Sequence, residues 1–254
     1  MTQQTKIALI TGGSRGLGKN MCIALAKKGI DIIFTYHTNK QEADNVINEI
    51  KALGRSAVAL SLDTRNITSF DNFVDEVTRY LKQEHNTASF DFLINNAGTA
   101  LYAPITEVTE EQMDNIFNIH YKGVFFLTQK LLPHINDGGA IINLSSGLTR
   151  ITMPGSSVYA AMKSAVEAQT RYLAKELGDR KIRANVVAPG AIETDFGGGR
   201  VRDNQDVNKQ IAAFTALGRV GLPDDIGGVV AFLCTDEAYW INGQRIEISG
   251  GQSL

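Results

Sequence analysis

Seven short runs rich in β-branched residues alternate with longer stretches of helical period, and this alternation constrains the fold more than any other feature. The runs are residues 7–11, 32–36, 57–60, 92–95, 140–144, 183–187 and 245–248. Each is too short for an ordinary helix, and most end in turn residues. Apolar residues recur at helical spacing in residues 16–28, 40–53, 69–81, 110–119 continuing to 132, 157–177 and 224–233. Strand–helix–strand alternation requires right-handed crossovers. It predicts an α/β fold of the Rossmann type: a doubly wound parallel β-sheet of about seven strands with helices on both faces. No Pro/Ser-rich linker interrupts the pattern, so residues 1–254 read as one domain. The longest loop-like segment, residues 191–206, contains Gly197-Gly198-Gly199 and is expected to act as a binding loop or lid.

The first strand runs into Thr11-Gly12-Gly13-Ser14-Arg15-Gly16-Leu17-Gly18, which opens the first helix. Glycines let the backbone turn sharply and approach a ligand closely. The helix N-terminus behind them offers free N–H groups and a partial positive charge to a pyrophosphate. In a first βα unit this arrangement points to a dinucleotide. A carboxylate about twenty residues further on would favour an unphosphorylated ribose. Here the second strand ends Thr35-Tyr36-His37-Thr38-Asn39; Asp31 precedes it and Glu42 falls in the next helix. Arg15 suits a 2′-phosphate, and His37 and Thr38 add donors. The pattern favours NADP(H) over NAD(H).

Tyr159-Ala160-Ala161-Met162-Lys163 supplies a second signal, with Ser146 thirteen residues before the tyrosine. A phenol with a pKa of roughly 10 is a poor acid or base at neutral pH. Residues i and i+4 share a helix face, so Lys163 can hold positive charge near the Tyr159 oxygen. A nearby serine hydroxyl can orient a substrate oxygen. That is equipment for moving a proton on or off a carbonyl or alcohol.

These motifs together resemble the short-chain dehydrogenase/reductase family in its single-domain form, including members similar to 3-oxoacyl-carrier-protein reductases. The resemblance covers nearly the whole chain. It rests on the loop at residues 11–18, Asp63 after the third strand, Asn95-Asn96-Ala97-Gly98 after the fourth, and the Ser146, Tyr159 and Lys163 spacing. It also rests on Pro189-Gly190-Ala191-Ile192-Glu193-Thr194 and on residues 219–226 through Gly250-Gly251. The resemblance implies that Gly12, Ser14, Arg15, Gly16, Leu17, Gly18, Asp63, Asn95, Ala97, Gly98, Pro189, Gly190, Ile192 and Thr194 contact the cofactor. Tyr159 and Lys163 would touch it too. It further implies that Ser146 holds the substrate oxygen and Tyr159 acts as general acid in reduction. Lys163 would lower the Tyr159 pKa and hold the nicotinamide ribose. The family usually has asparagine where this chain has His120, three residues before Gly123, and there it helps link the lysine to solvent. Imidazole can also relay a proton, so His120 is a candidate for that path. Asn118, through a distortion of the helix, is a second candidate, and a packed helix residue at His120 is the remaining reading.

The residues after Gly98, those between Ser146 and Tyr159 and residues 191–214 are expected to line the substrate pocket, with Leu148, Ile151, Met153 and Phe196 as apolar candidates and Arg200 and Arg202 for meeting an acidic substrate group. The expected activity is NADPH-dependent reduction of a ketone or 3-oxoacyl thioester. An NAD-dependent alcohol or sugar-alcohol dehydrogenase and a non-enzymatic dinucleotide sensor are the alternatives. A net charge of −2 gives no general attraction to nucleic acid or membrane. The polar start of the chain and the short apolar runs fit a cytoplasmic protein without a signal peptide or membrane span. Cys22, Cys234 and the four scattered histidines have neither disulfide nor metal-site spacing, so no metal is expected. The family resemblance implies a homotetramer or homodimer, pairing residues 157–177 and 224–233.

Overall fold

A computed structural model describes residues 5–254. The first four residues of the polar N-terminal segment lie outside them. Seven parallel strands form one sheet: β1 (Ile7–Ile10), β2 (Asp31–Tyr36), β3 (Ala57–Ser61), β4 (Phe90–Asn95), β5 (Ile135–Leu144), β6 (Arg183–Pro189) and β7 (Arg245–Ile248). Their order is β3-β2-β1-β4-β5-β6-β7, and every pairing is parallel. This is the doubly wound fold that the alternation predicts.

Successive strand side chains face opposite sides of a sheet, and the sequence uses both. Ala8 and Ile10 of β1 and Ile32 and Phe34 of β2 face one core. There they meet α1 (Gly16–Lys27), α2 (Lys40–Ala52) and α9 (Pro223–Leu233) through Met21, Leu25, Val46, Ile50, Ile226 and Val230. Ile7, Leu9 and Ile33 face the other core, built with α3 (Phe70–His85), α5 (Gly123–Leu131) and α6 (Ser157–Glu176). Phe70, Phe73, Val77, Leu81, Leu127 and Leu131 fill that side. Strands covered on both faces read as continuous apolar runs rather than alternating ones. Among the described residues no helix is long and apolar enough to cross a membrane, and no cluster of potential ligands could hold a metal. Cys22 and Cys234 are buried and free.

Four local expectations need correction. The helix expected from residue 110 to 132 is interrupted: α4 (Glu110–Phe117) and α5 flank a π-helical turn at Asn118–Lys122. There the Gly123 N–H donates to the Asn118 carbonyl five residues back. Strand β5 begins five residues earlier than expected, at Ile135 opposite Phe90; Asn136-Asp137-Gly138-Gly139 then bulges out of register, with Gly138 at φ +79°, before pairing resumes at Ala140 opposite Phe92. Asp31 opens β2 rather than preceding it, and its carboxylate accepts the Ser56 N–H at 2.9 Å. The expected loop at residues 191–206 contains α7 (Arg200–Asp203) and the start of α8 (Gln205–Ala213). Asn204 between them caps α8, accepting from the Asp206 and Val207 N–H groups at 3.1 Å.

The strand order reverses direction between β1 and β4. In open α/β sheets, ligands bind beyond the carboxyl ends of the strands at that point.

Candidate active site

A cleft of about 670 Å³ opens over the carboxyl ends of β1, β2, β4, β5 and β6. One half is a glycine-lined cradle. Gly12, Ser14, Arg15, Gly16, Leu17 and Gly18 line it, as do His37, Asp63, Ala97, Gly98, Pro189, Gly190, Ile192 and Thr194. A Cβ on Gly18 would overlap the Gly12 carbonyl oxygen, so the first turn of α1 and the loop can approach only without a side chain there. Arg15 precedes α1 without a side-chain cap. The first-turn N–H groups of α1 thus face the cleft with no side-chain acceptor at the capping position. This cradle fits a pyrophosphate. At the end of β2, Tyr36 and His37 line the cleft where an acid would serve a free ribose hydroxyl. Arg15 and Arg65 bring positive charge to the same half.

Two expected cofactor contacts lie elsewhere. Asn95 points into the sheet interior, where its Nδ2 donates to Thr128 Oγ1 at 3.0 Å and to Asn143 Oδ1 at 2.8 Å. Its neighbour Asn96 lines the cleft instead and donates through Nδ2 to the carbonyls of Thr11 (2.8 Å) and Gly12 (3.1 Å). Adjacent residues at a strand end face opposite ways, so one position decides between scaffold and cleft. Thr38 is exposed just beyond the cleft wall. Arg65 has no motif of its own and was not expected. It clasps Asp63 through Nε (3.0 Å) and Nη2 (2.8 Å) and holds the Asp63 carboxyl below its ordinary range. The only sequence signal for it is its place two residues after Asp63. His37 Nε2 lies 3.6 Å from the same carboxylate.

Ser146, Tyr159 and Lys163 meet at the inner end of the cleft. Ser146 follows β5 and caps a short 3₁₀ turn at Gly147–Thr149, its Oγ accepting the Leu148 N–H at 3.2 Å. Tyr159 and Lys163 sit one turn apart on α6, both buried. The Lys163 Nζ donates to the Leu144 carbonyl at 2.7 Å and lies 5.7 Å from the Tyr159 ring centroid. Burial pushes Lys163 down to about 7. Burial also raises the Tyr159 phenol well above its ordinary value, against a hydrogen bond with Ser146 that favours the phenolate. In the protein alone, burial therefore outweighs the pKa lowering expected from Lys163. The same burial leaves Lys163 ready to gain or lose a proton near neutral pH.

His120 lies in the π-helical turn and is 1% exposed. Its ring stands edge-on to Tyr159, with centroids 5.0 Å apart, and takes the space of a Cβ on Gly98. Its Nε2 lies 2.7 Å from the Thr99 carbonyl and 3.2 Å from the Thr99 N–H, and its Nδ1 has no partner. Burial, with Lys163 nearby, holds His120 well below the ordinary imidazole value, so it is neutral at physiological pH. π-turns in helices often occur at functional sites. Without the π-turn, the expected continuous helix would carry His120 at a different angle.

Apolar and aromatic side chains dominate the cleft wall beyond Tyr159. Leu148, Ile151, Met153 and Phe196 line it with Leu101 and Tyr102, and the Phe196 ring centroid lies 6.0 Å from that of Tyr159. The two expected arginines part company. Arg200 lines the cleft, its guanidinium 5.9 Å from the Tyr102 ring centroid. Arg202 is tied to Asp195 and Asp203 instead. Tyr102 lies in the stretch after Gly98 where pocket residues are expected.

A family model described as enoyl-(acyl carrier protein) reductase matches residues 12–253. The hydroxynaphthalene reductase-like protein Arp2 of Metarhizium brunneum is 36% identical over 257 aligned residues, covering 97% of this chain and 94% of that protein. The reductase LugOII, which catalyses keto-reduction at C1 during lugdunomycin biosynthesis, superposes with a TM-score of 0.92 at 35% identity, covering 98% of both chains. The landomycin C-6 ketoreductase LanV, solved with NADP and rabelomycin, superposes with a TM-score of 0.89 at 34% identity, covering 98% of this chain and 96% of that one. Matched along almost its whole length in sequence and in fold, the chain belongs to the short-chain dehydrogenase/reductase family.

Proposed function

We propose that the protein is an NADP(H)-dependent ketoreductase that converts a cyclic aromatic ketone to the alcohol. The observation that carries this reading is the meeting of Ser146, Tyr159 and Lys163 at the inner end of a cleft whose other end is a cationic, glycine-lined cradle. The bound nicotinamide supplies the hydride. The residues of this chain do the rest. The N–H groups opening α1 would hold the pyrophosphate, and Arg15 the 2′-phosphate. Ser146 Oγ donates to the substrate oxygen, and the Tyr159 hydroxyl gives it a proton as the carbonyl becomes an alcohol. Lys163 returns a proton toward Tyr159, and its value of about 7 suits that exchange at neutral pH. His120 holds the Tyr159 ring from its edge and relays protons to the lysine.

The aromatic and aliphatic walls around Tyr102, Met153 and Phe196 support a flat aromatic substrate, and the hydroxynaphthalene in the name of one relative is such a molecule. The absence of an acid at the end of β2 argues against the NAD-linked alcohol dehydrogenase. Exposed Tyr172 on α6 and Phe232 on α9 support assembly through those two helices.

Titration of NADPH and NADH by fluorescence, followed by turnover of 1-tetralone, cyclohexanone and acetoacetyl-coenzyme A, tests the reading. The expected result is at least tenfold tighter NADPH binding and a kcat/KM that ranks 1-tetralone first. Equal affinity for NADH would overturn the cofactor, and no ketone turnover with tight NADPH binding would favour a sensor.

A further inference from the structure

Ser146 is held to the helix of Tyr159 and Lys163 from both sides, and only one of the two ties belongs to the proton-transfer group. Lys163 binds the carbonyl of Leu144, two residues before Ser146, at 2.7 Å. One turn further along the same helix face is Glu167, with a side chain 14% exposed. Residues 159, 163 and 167 form one i, i+4, i+8 ridge. Three donors converge on Glu167 Oε1: Ser145 Oγ at 2.6 Å, Thr149 Oγ1 at 2.8 Å and Arg245 Nε at 2.8 Å. Ser145 and Thr149 bracket Ser146 in the chain. The Thr149 hydroxyl also lies 2.9 Å from the Ser146 carbonyl. One hydroxyl proton thus serves two acceptors, and it couples the Ser146 backbone to the Glu167 carboxylate. Arg245 Nη2 reaches both Thr149 Oγ1 (3.1 Å) and the Ser146 carbonyl (3.4 Å).

The network continues to the end of the chain. Arg245 Nη1 donates to Glu247 at 2.8 Å, and Arg150 Nε donates to the same carboxylate at 2.9 Å. Arg150 also binds the carbonyls of Gln252 (2.7 Å) and Ser253 (3.0 Å). Arg150 first, then Arg245 and Ser249, holds Glu247 down to about 2, so it stays ionised across the working pH range. Charge-assisted hydrogen bonds of this kind are the stronger class.

We infer that Glu167 is a positioning residue that fixes Ser146 against Tyr159 and Lys163, with Arg245 anchoring its carboxylate. A hydroxyl that must meet a substrate oxygen within hydrogen-bond reach tolerates little displacement; an error of about 1 Å can cost about 100-fold in rate. The kinetic consequence rests on the ketoreductase reading, while the structural tie does not, and the test separates the two.

The test uses the full-length protein and three variants: Glu167→Gln, the pair Ser145→Ala with Thr149→Val, and all three changes together. Amide hydrogen exchange is read in the peptide covering residues 144–151 and in the peptide covering α6. Active sites are counted by NADPH titration. Glu167→Gln is expected to speed exchange in residues 144–151 by about tenfold with little change in α6, since loss of a tie opens one segment and not the whole fold. With 1-tetralone, kcat per NADPH-binding site should fall about tenfold while the Kd for NADPH stays within about twofold. The triple variant should be no slower than the slower of its parents, because all three changes cut one tie. Unchanged exchange in residues 144–151 would overturn the inference even if the protein reduced no ketone at all. Multiplying rate losses in the triple variant, or NADPH affinity falling in step with kcat, would overturn it too. If the unsubstituted protein reduces no ketone, the ketoreductase reading falls and the exchange result alone decides the role of Glu167.

Discussion

Lys163 should make the cofactor-free protein less stable at neutral pH than at alkaline pH, and Lys163→Met should remove that dependence. The folded-state pKa of about 7 lies below the ordinary 10.5 because the ammonium is buried. Between those values the unfolded chain holds a proton that the folded protein does not. Stability from this group is therefore fully present above about 10.5 and lost as pH falls to about 7. Each pKa unit is worth about 1.4 kcal/mol. The whole depression then corresponds to about 5 kcal/mol, of which about 2–3 kcal/mol appears between pH 7 and pH 9. Methionine has a similar shape and no charge to desolvate, but it leaves the Leu144 carbonyl without its donor. That omission costs about 1–3 kcal/mol. The net expectation is that Lys163→Met is about 2–4 kcal/mol more stable at pH 7, with turnover lost. The advantage should shrink by about 2–3 kcal/mol at pH 9. Urea denaturation of both proteins at pH 6, 7, 8 and 9 gives the difference directly, because groups common to both cancel. Parallel stability curves, or a variant less stable throughout, would refute the reasoning.

His120→Asn should flatten the acid side of the stability profile. The folded imidazole titrates below its ordinary 6.5, so stability is lost as pH falls below 6.5, by up to about 1.4 kcal/mol per pH unit; urea midpoints at pH 5 and 7 read the change. If His120 also relays protons, the same variant shifts the pH–kcat profile, whereas packing alone leaves the profile in place. Gly18→Ala must push the Gly12 carbonyl aside, which should weaken NADPH binding at least tenfold and cost about 1–3 kcal/mol of stability, read by fluorescence titration and melting. Arg15→Ala should erase roughly 10- to 100-fold of the preference for NADPH over NADH while leaving NADH affinity nearly unchanged, since charge-assisted contacts are worth about 1.5–3 kcal/mol.

The architecture was legible because the two-sided burial of each strand is written as apolar runs, and the glycine loop because close approach demands missing side chains. Ser146, Tyr159 and Lys163 were legible as a spacing, since α6 is regular and carries the last two on one face. The π-turn at Asn118–Lys122 was not. Its residues have ordinary helical character, and the extra residue per turn comes from packing around His120 and Gly123. Asn95 and Asn96 could not be told apart because a one-residue difference in facing decides which of them leaves the sheet. Arg65 and Glu167 stayed hidden for another reason. Glu167 meets Ser145, Thr149 and Arg245 only in the folded chain, while Arg65 clasps its near neighbour Asp63 without any motif to mark it. The split between Arg200 and Arg202 likewise depends on where Asp195 and Asp203 fall once residues 195–203 fold.

The most direct test of the account is single-turnover oxidation of NADPH by 1-tetralone, followed by stopped-flow in the unsubstituted protein and in Tyr159→Phe. Phenylalanine keeps the ring that His120 and Phe196 pack against and removes only the hydroxyl. The account predicts that both proteins bind NADPH with affinities within about twofold and that the variant is slower by about 10²–10⁴, the usual worth of a positioned general acid. A Tyr159→Phe protein that turns over within a few fold of the unsubstituted one would contradict the account.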